Sequence, residues 1–142
     1  MPTRTANARW TGGLTEGRGE LETGSGLVKG VYNFSGRFEE GSGTNPEELM
    51  GAAHAGCYAM AFSALLGEEG YTPETLDADA SVTLEEVDGK PTITRVAITV
   101  KGNVPGLSDD DFRRIAEATK DFCPVSRALA GVEITLDVKT GG

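Results

Sequence analysis

Nineteen consecutive residues, Leu49 to Gly67, carry no formal charge, and this run constrains the chain more than any other feature. Its entry reads as a helix start. In TNPEEL, Asn45 is a capping residue, Pro46 suits the first helical position, and Glu48 stands three residues after the cap. Within the run Leu49, Ala53, Cys57, Met60 and Ala64 recur at helical spacing, and Met50, Ala61 and Leu65 widen the stripe. The pattern predicts a helix over 45–67, buried on nearly every side and ended by Glu68, Glu69 and Gly70. The run is long enough to raise a membrane span, but Ala and Gly dominate it and His54 and Ser63 interrupt it, so its insertion drive is weak and no membrane is expected. Small residues at Gly51, Ala52, Ala55, Gly56 and Ala59 let another backbone come close, from a neighbouring element or a second subunit.

Strand patterns flank this helix. Broken alternation over Thr5 to Trp10, Leu14 to Thr23 and Leu27 to Phe34, punctuated by glycines, predicts a meander of three short strands, followed by a glycine-bearing loop from Gly36 to Thr44. After the helix, Leu76, Ala78, Ala80, Val82 and Leu84 alternate with polar residues, the period of a strand with one wet face. Asp88-Gly89 then predicts a two-residue hairpin turn into a strand carrying Val96, Ile98 and Val100. Ile93 falls out of that register, which predicts a bulge near Thr94. Ser108 followed by three aspartates caps a second helix with Phe112, Ile115, Ala116, Thr119 and Phe122 on its apolar face, interrupted by Pro124. A short helical turn over 125–129 and a closing strand with Val132, Ile134, Leu136 and Val138 complete the chain. The expected class is α+β, in the order β-β-β-α-β-β-α-β, as a single domain over 1–142; no repeat or linker divides it.

The totals exclude several functions. At 142 residues with a formal net charge of -9, and with its 13 Lys and Arg scattered, the chain has no basic field for nucleic acid. Its first residues, MPTRTANARW, lack the apolar segment of a secretory signal, so a cytoplasmic location is expected. Two cysteines make no disulfide scaffold, which turns attention to their reactivity. Cys57 lies mid-helix in apolar surroundings that raise a thiol pKa, so a reactive Cys57 requires a nearby cation or aligned donors. Arg37, in the loop before the helix, is the best placed cation. Cys123 stands between Phe122 and Pro124, where a new helical turn begins and a thiol ionises more readily. The alternatives are two unrelated core thiols, or a zinc site formed by His54, Cys57 and Cys123, which matches no recognised ligand spacing. No metal or cofactor is expected.

The strings SGRFEEGSGTNPEELMGAAHAGC and FCPVSRAL, with the flanking order of strands and helices, resemble the OsmC/Ohr family of thiol peroxidases over essentially the whole chain. HAGC preceded by TNPEEL is closer to the osmotically inducible branch. The resemblance implies an OsmC-like fold with a long buried central helix in an intertwined homodimer. It implies that Cys57 is the peroxidatic cysteine, Cys123 the resolving one, Arg37 the activating arginine and Glu47 the acid that orients it. Taken alone, Glu47 reads as an acid complementing a helix N-terminus. The implied activity is reduction of alkyl or lipid hydroperoxides through a Cys57 sulfenic acid and a Cys57 to Cys123 disulfide, which an external dithiol, carried on a lipoyl protein in the family's manner, reduces. The competing reading is a binding module for small hydrophobic ligands with structural cysteines. Ten helical steps from Glu47 to Cys57 would span roughly 15 Å. The helix is therefore expected to bend or break near Gly51, unless Arg37 reaches along its face.

Overall fold

A computed structural model describes residues 2–140, which fall into two compact units, one ending at Leu49 and the other beginning at Met50. In the first, β1 (Ala6–Thr11), β2 (Arg18–Thr23) and β3 (Lys29–Tyr32) form an antiparallel sheet in sequence order. The expected meander is present, but β2 begins only at Arg18, because Gly12, at φ +93°, turns the chain and the Gly17 N–H closes a turn on the Gly13 carbonyl at 2.8 Å. The third strand likewise stops at Tyr32 rather than Phe34. Asn33 then caps a one-turn helix, α1 (Phe34–Phe38), accepting from the Gly36 N–H at 2.7 Å. The expected loop thus opens with helix.

The boundary between the units falls within α2 (Pro46–Glu68), whose start follows the sequence: Asn45 Oδ1 accepts from the Glu48 N–H at 2.7 Å. The helix is unbroken at Gly51, so the break expected there is absent. Gly51 instead lies against β4 (Thr75–Val87), where a Cβ would sit 3.4 Å from the Ala80 carbonyl. At the other end Gly70, at φ +88°, reverses the chain, and the Tyr71 N–H bonds the Leu66 carbonyl at 3.0 Å.

The buried side of α2 runs through Gly51, His54, Tyr58, Ala61, Phe62 and Leu66. Burial on every side and the expected stripe are therefore both corrected: Ala53, Ala64 and Met60, the last 78% exposed, point outward, and Cys57 lies at the edge. In a run of Ala and Gly, apolar spacing says little about direction. The bulky residues decide it, because Tyr58, Phe62 and Leu66 lie four apart on one line and bury far more area than any alanine.

These residues share a core with Val96, Ile98 and Val100 of β5 (Lys90–Asn103) and with Phe112, Ile115 and Ala116 of α3 (Asp109–Phe122). The Phe62 and Phe112 rings lie 5.0 Å apart, and the Tyr58 hydroxyl donates to the Ala116 carbonyl at 2.8 Å. β4 and β5 form the expected hairpin, with Asp88 and Gly89 both at positive φ. Thr83 faces Arg95 and Leu84 faces Ile93, which leaves Thr94 unpaired as the predicted bulge. Ser108 caps α3, accepting from the Asp111 N–H at 3.1 Å. A one-turn helix, α4 (Pro124–Ala128), follows at once, and β6 (Glu133–Val138) pairs parallel to β5, giving the sheet order β4-β5-β6. Phe122 leaves the apolar face of α3 and is 49% exposed. Cys123, four residues after Thr119, takes the inward position instead and is fully buried.

Candidate active site

Each sulfur is placed by helix geometry. Cys57 stands one residue before Tyr58, at the margin of the core stripe of α2, and Cys123 ends α3 and begins α4 in a single residue. Its own N–H closes α3 on the Thr119 carbonyl at 2.9 Å, while Pro124, at the first position of α4, turns the chain. The result brings two residues 66 positions apart into contact, with Cys123 Sγ 3.2 Å from Cys57 Sγ and both thiols free. Burial pushes the Cys57 thiol up, and the neighbouring Cys123 thiol adds to that rise. The Val125 backbone N–H pulls the other way.

Below the sulfurs, His54 is fully buried and its Nε2 lies 2.7 Å from Ser126 Oγ. Nδ1 has no hydrogen-bond partner among the described residues. Burial alone lowers the His54 pKa, so the ring is neutral. Among the described residues no three His, Cys, Asp or Glu side chains could hold a metal ion together, and the imidazole engages a hydroxyl. This contact was not foreseen. Its only trace in the sequence is a histidine one turn before one cysteine and a serine three residues after the other.

The N-terminal unit holds the other expected pair. Arg37, in the last turn of α1, directs Nε and Nη2 at the same carboxylate oxygen, Glu47 Oε1, at 3.1 and 3.0 Å. Its guanidinium also lies 5.4 Å from the centre of the Phe38 ring. The Arg37 side chain is about one-third exposed, whereas Glu47 is buried and its Oε2 finds no partner among the described residues. The approach to this pair is shaped by a tight loop. At Gly43, φ is +102°, and a Cβ would meet the Val31 carbonyl at 2.7 Å, so a side chain there would push the loop away from β3. Thr44 and Glu48 tie the loop to the start of α2 through a 2.6 Å hydrogen bond.

With this geometry in view, the chain can be compared with known proteins. Residues 39–138 match the OsmC-like protein family. The chain belongs to that family. Peroxiredoxin OsmC of Escherichia coli is 46% identical over 131 residues, 92% of this chain and 91% of that protein. Among solved structures, the organic hydroperoxide resistance protein OhrB of Bacillus subtilis aligns with a TM-score of 0.75 at 25% identity, covering 95% of this chain and 98% of its own. An OsmC from Legionella pneumophila, described as an organic hydroperoxide resistance protein and predicted redox protein, aligns with a TM-score of 0.74 at 27% identity over 96% and 97% of the two chains. The OsmC-like fold expected from the sequence is therefore the fold of this protein.

Proposed function

We infer that this OsmC-like protein is a cysteine-dependent peroxidase that reduces organic hydroperoxides to alcohols, with Cys57 as the attacking thiol and Cys123 as its resolving partner. The observation that carries the reading is the 3.2 Å approach of the two sulfurs across two helices. The Cys57 thiolate attacks the outer peroxide oxygen, the O–O bond breaks, and the departing alkoxide takes a proton and leaves as the alcohol. Cys57 becomes a sulfenic acid. The Cys123 thiol then attacks that sulfur, a disulfide forms and water departs, which keeps Cys57 off the irreversible oxidation ladder. Two electrons from an external dithiol restore both thiols.

The electrostatics need a cation, because burial raises the Cys57 thiol and a single backbone N–H opposes it. This reading assigns that task to Arg37, held at its Nε edge by Glu47, with Nη1 left to address a thiolate or the peroxide oxygens. Among the larger apolar side chains of α2 and α3, Phe62 is fully buried, while Met60 and Phe122 stand exposed. We further assign a homodimer, supported by the outward side of α2, where Ala52, Ala53, Gly56, Met60 and Ala64 form an exposed face of small and apolar residues. A lipoyl-bearing protein as the dithiol source and a cytoplasmic location complete the reading, since a reducing compartment keeps the resting thiols free.

Thiol titration before and after one equivalent of cumene hydroperoxide tests the reading. Two thiols per chain should disappear, with Cys57→Ser abolishing the loss. Cys123→Ser should still consume one peroxide and then overoxidise at Cys57. Unchanged thiols together with a rise in melting temperature on adding hydrophobic ligands would instead favour a binding module.

A further inference from the structure

One buried polar contact has no part in the chemistry above. α4 is a single turn of five residues, too short to be held by its own hydrogen bonds, so its position depends on what it touches. Three residues at its start face α2. Cys123 Sγ meets Cys57 Sγ at 3.2 Å, the Val125 N–H acts to lower the Cys57 thiol, and Ser126 Oγ meets His54 Nε2 at 2.7 Å. His54 and Cys57 lie three residues apart and so face the same way on α2. The bond between His54 and Ser126 is well sheltered, with the histidine fully buried and the serine 6% exposed.

Stability alone does not account for a histidine here. Its Nδ1 is buried with no partner among the described residues, a state that costs the fold free energy and that an aliphatic side chain would avoid. The imidazole does supply a rigid, directional strut from α2 to the third residue of α4, as no aliphatic side chain would. We propose that His54 is a positioning residue which, through Ser126, clamps α4 so that Cys123 stays within condensing reach of the Cys57 sulfur and the Val125 backbone keeps its place beside them. The inference rests on the reading of Cys57 as the attacking thiol. His54 touches neither peroxide nor the reacting atoms in this role. It acts on both half-reactions through one short helix.

The test uses the full-length protein with Ser126→Ala, His54→Leu and His54→Gln, the last keeping a polar atom near the Nε2 position. Cys57 ionisation is followed by the pH dependence of its alkylation by iodoacetamide. Conversion of sulfenic acid to disulfide is followed by mass spectrometry after one equivalent of cumene hydroperoxide, with dimedone as the trap. Ser126→Ala and His54→Leu should each move the alkylation profile to higher pH by about one unit, as expected when the Val125 N–H no longer favours the thiolate, and slow condensation about tenfold. His54→Gln should restore most of both. If His54→Leu does not fold, Ser126→Ala, which deletes a single oxygen, carries the same comparison. Wild-type profiles and condensation rates in Ser126→Ala would overturn the clamp, as would a folded His54→Gln no better than His54→Leu. Failure of the underlying reading looks different: Cys57→Ser would still consume peroxide, whatever the alkylation profiles show.

Discussion

Cys57 and Cys123 meet among aromatic and aliphatic side chains of the C-terminal unit, and no charged side chain bonds either sulfur among the described residues. Arg37 and Glu47 meet in the N-terminal unit on a one-turn helix and a helix start, where charge is plentiful and no thiol is present. The first pair is placed by packing. Tyr58, Phe62, Ile115 and Ala116 lock α2 and α3 side by side, and the sulfurs follow. The second is placed by hydrogen bonds, from the Asn33 cap of α1 to the Asn45 cap of α2. A close-packed core fixes position well but hosts charge badly, whereas a capped, half-exposed segment holds a guanidinium cheaply but less rigidly. In the proposed reading, packing places the nucleophile and hydrogen bonds hold the arginine assigned to it.

Removing the cation puts the greatest strain on this comparison. Arg37→Met should lower the second-order rate with cumene hydroperoxide about a hundredfold at pH 7, because the Cys57 thiolate loses the charge that favours it. The sign follows from the thiol: burial already pushes it up, so without the guanidinium the thiolate forms only at higher pH. The variant should therefore gain rate more steeply than the wild type as the pH rises from 7 to 9. Stopped-flow rates across that range decide it. A wild-type rate and profile in Arg37→Met would mean that the thiol pair supplies its own activation.

Features set by neighbours in sequence were legible in advance, and features set by distant partners were not. Asn45, Ser108, the Asp88-Gly89 turn and the unpaired Thr94 each follow from chemistry within a few residues, and each appears where the pattern put it. The side of α2 that faces the core was misread, because alanines and glycines mark no direction and the pull came from β5 and α3. α1 was missed since a five-residue helix has too few positions to show a period. The pairing of Cys57 with Cys123 and of Arg37 with Glu47 came from the family resemblance rather than from spacing. The His54 to Ser126 bond joins residues 72 apart, and only their spacing from the two cysteines hinted at it.

Glu47→Gln sharpens the comparison from the other side. The amide oxygen can still accept from Arg37, and the guanidinium remains charged, so only the charge-assisted part of the contact is lost. The rate should fall about tenfold, with the pH profile of Cys57 alkylation close to wild type. A profile displaced as far as that of Arg37→Met would show Glu47 to be more than an orienting group.

The smallest effect concerns the charge that the thiol region refuses. His54 is the chain's one histidine, and burial lowers its pKa in the fold, so the unfolded chain binds its proton first as the pH falls. Below the unfolded value of about 6.5 the folded state is therefore penalised, and stability contributed by the neutral imidazole is lost progressively as the pH drops. Between pH 7 and 5.5 stability should therefore fall, before most carboxylates titrate. Urea unfolding at intervals across that range measures it, with His54→Gln as the control that should flatten the slope. An equal slope in both proteins would mean that the ring is accommodated as a cation. The region around the sulfurs would then hold charge more readily than its packing implies, and Cys57 would have a second candidate for its counterion one turn away on its own helix.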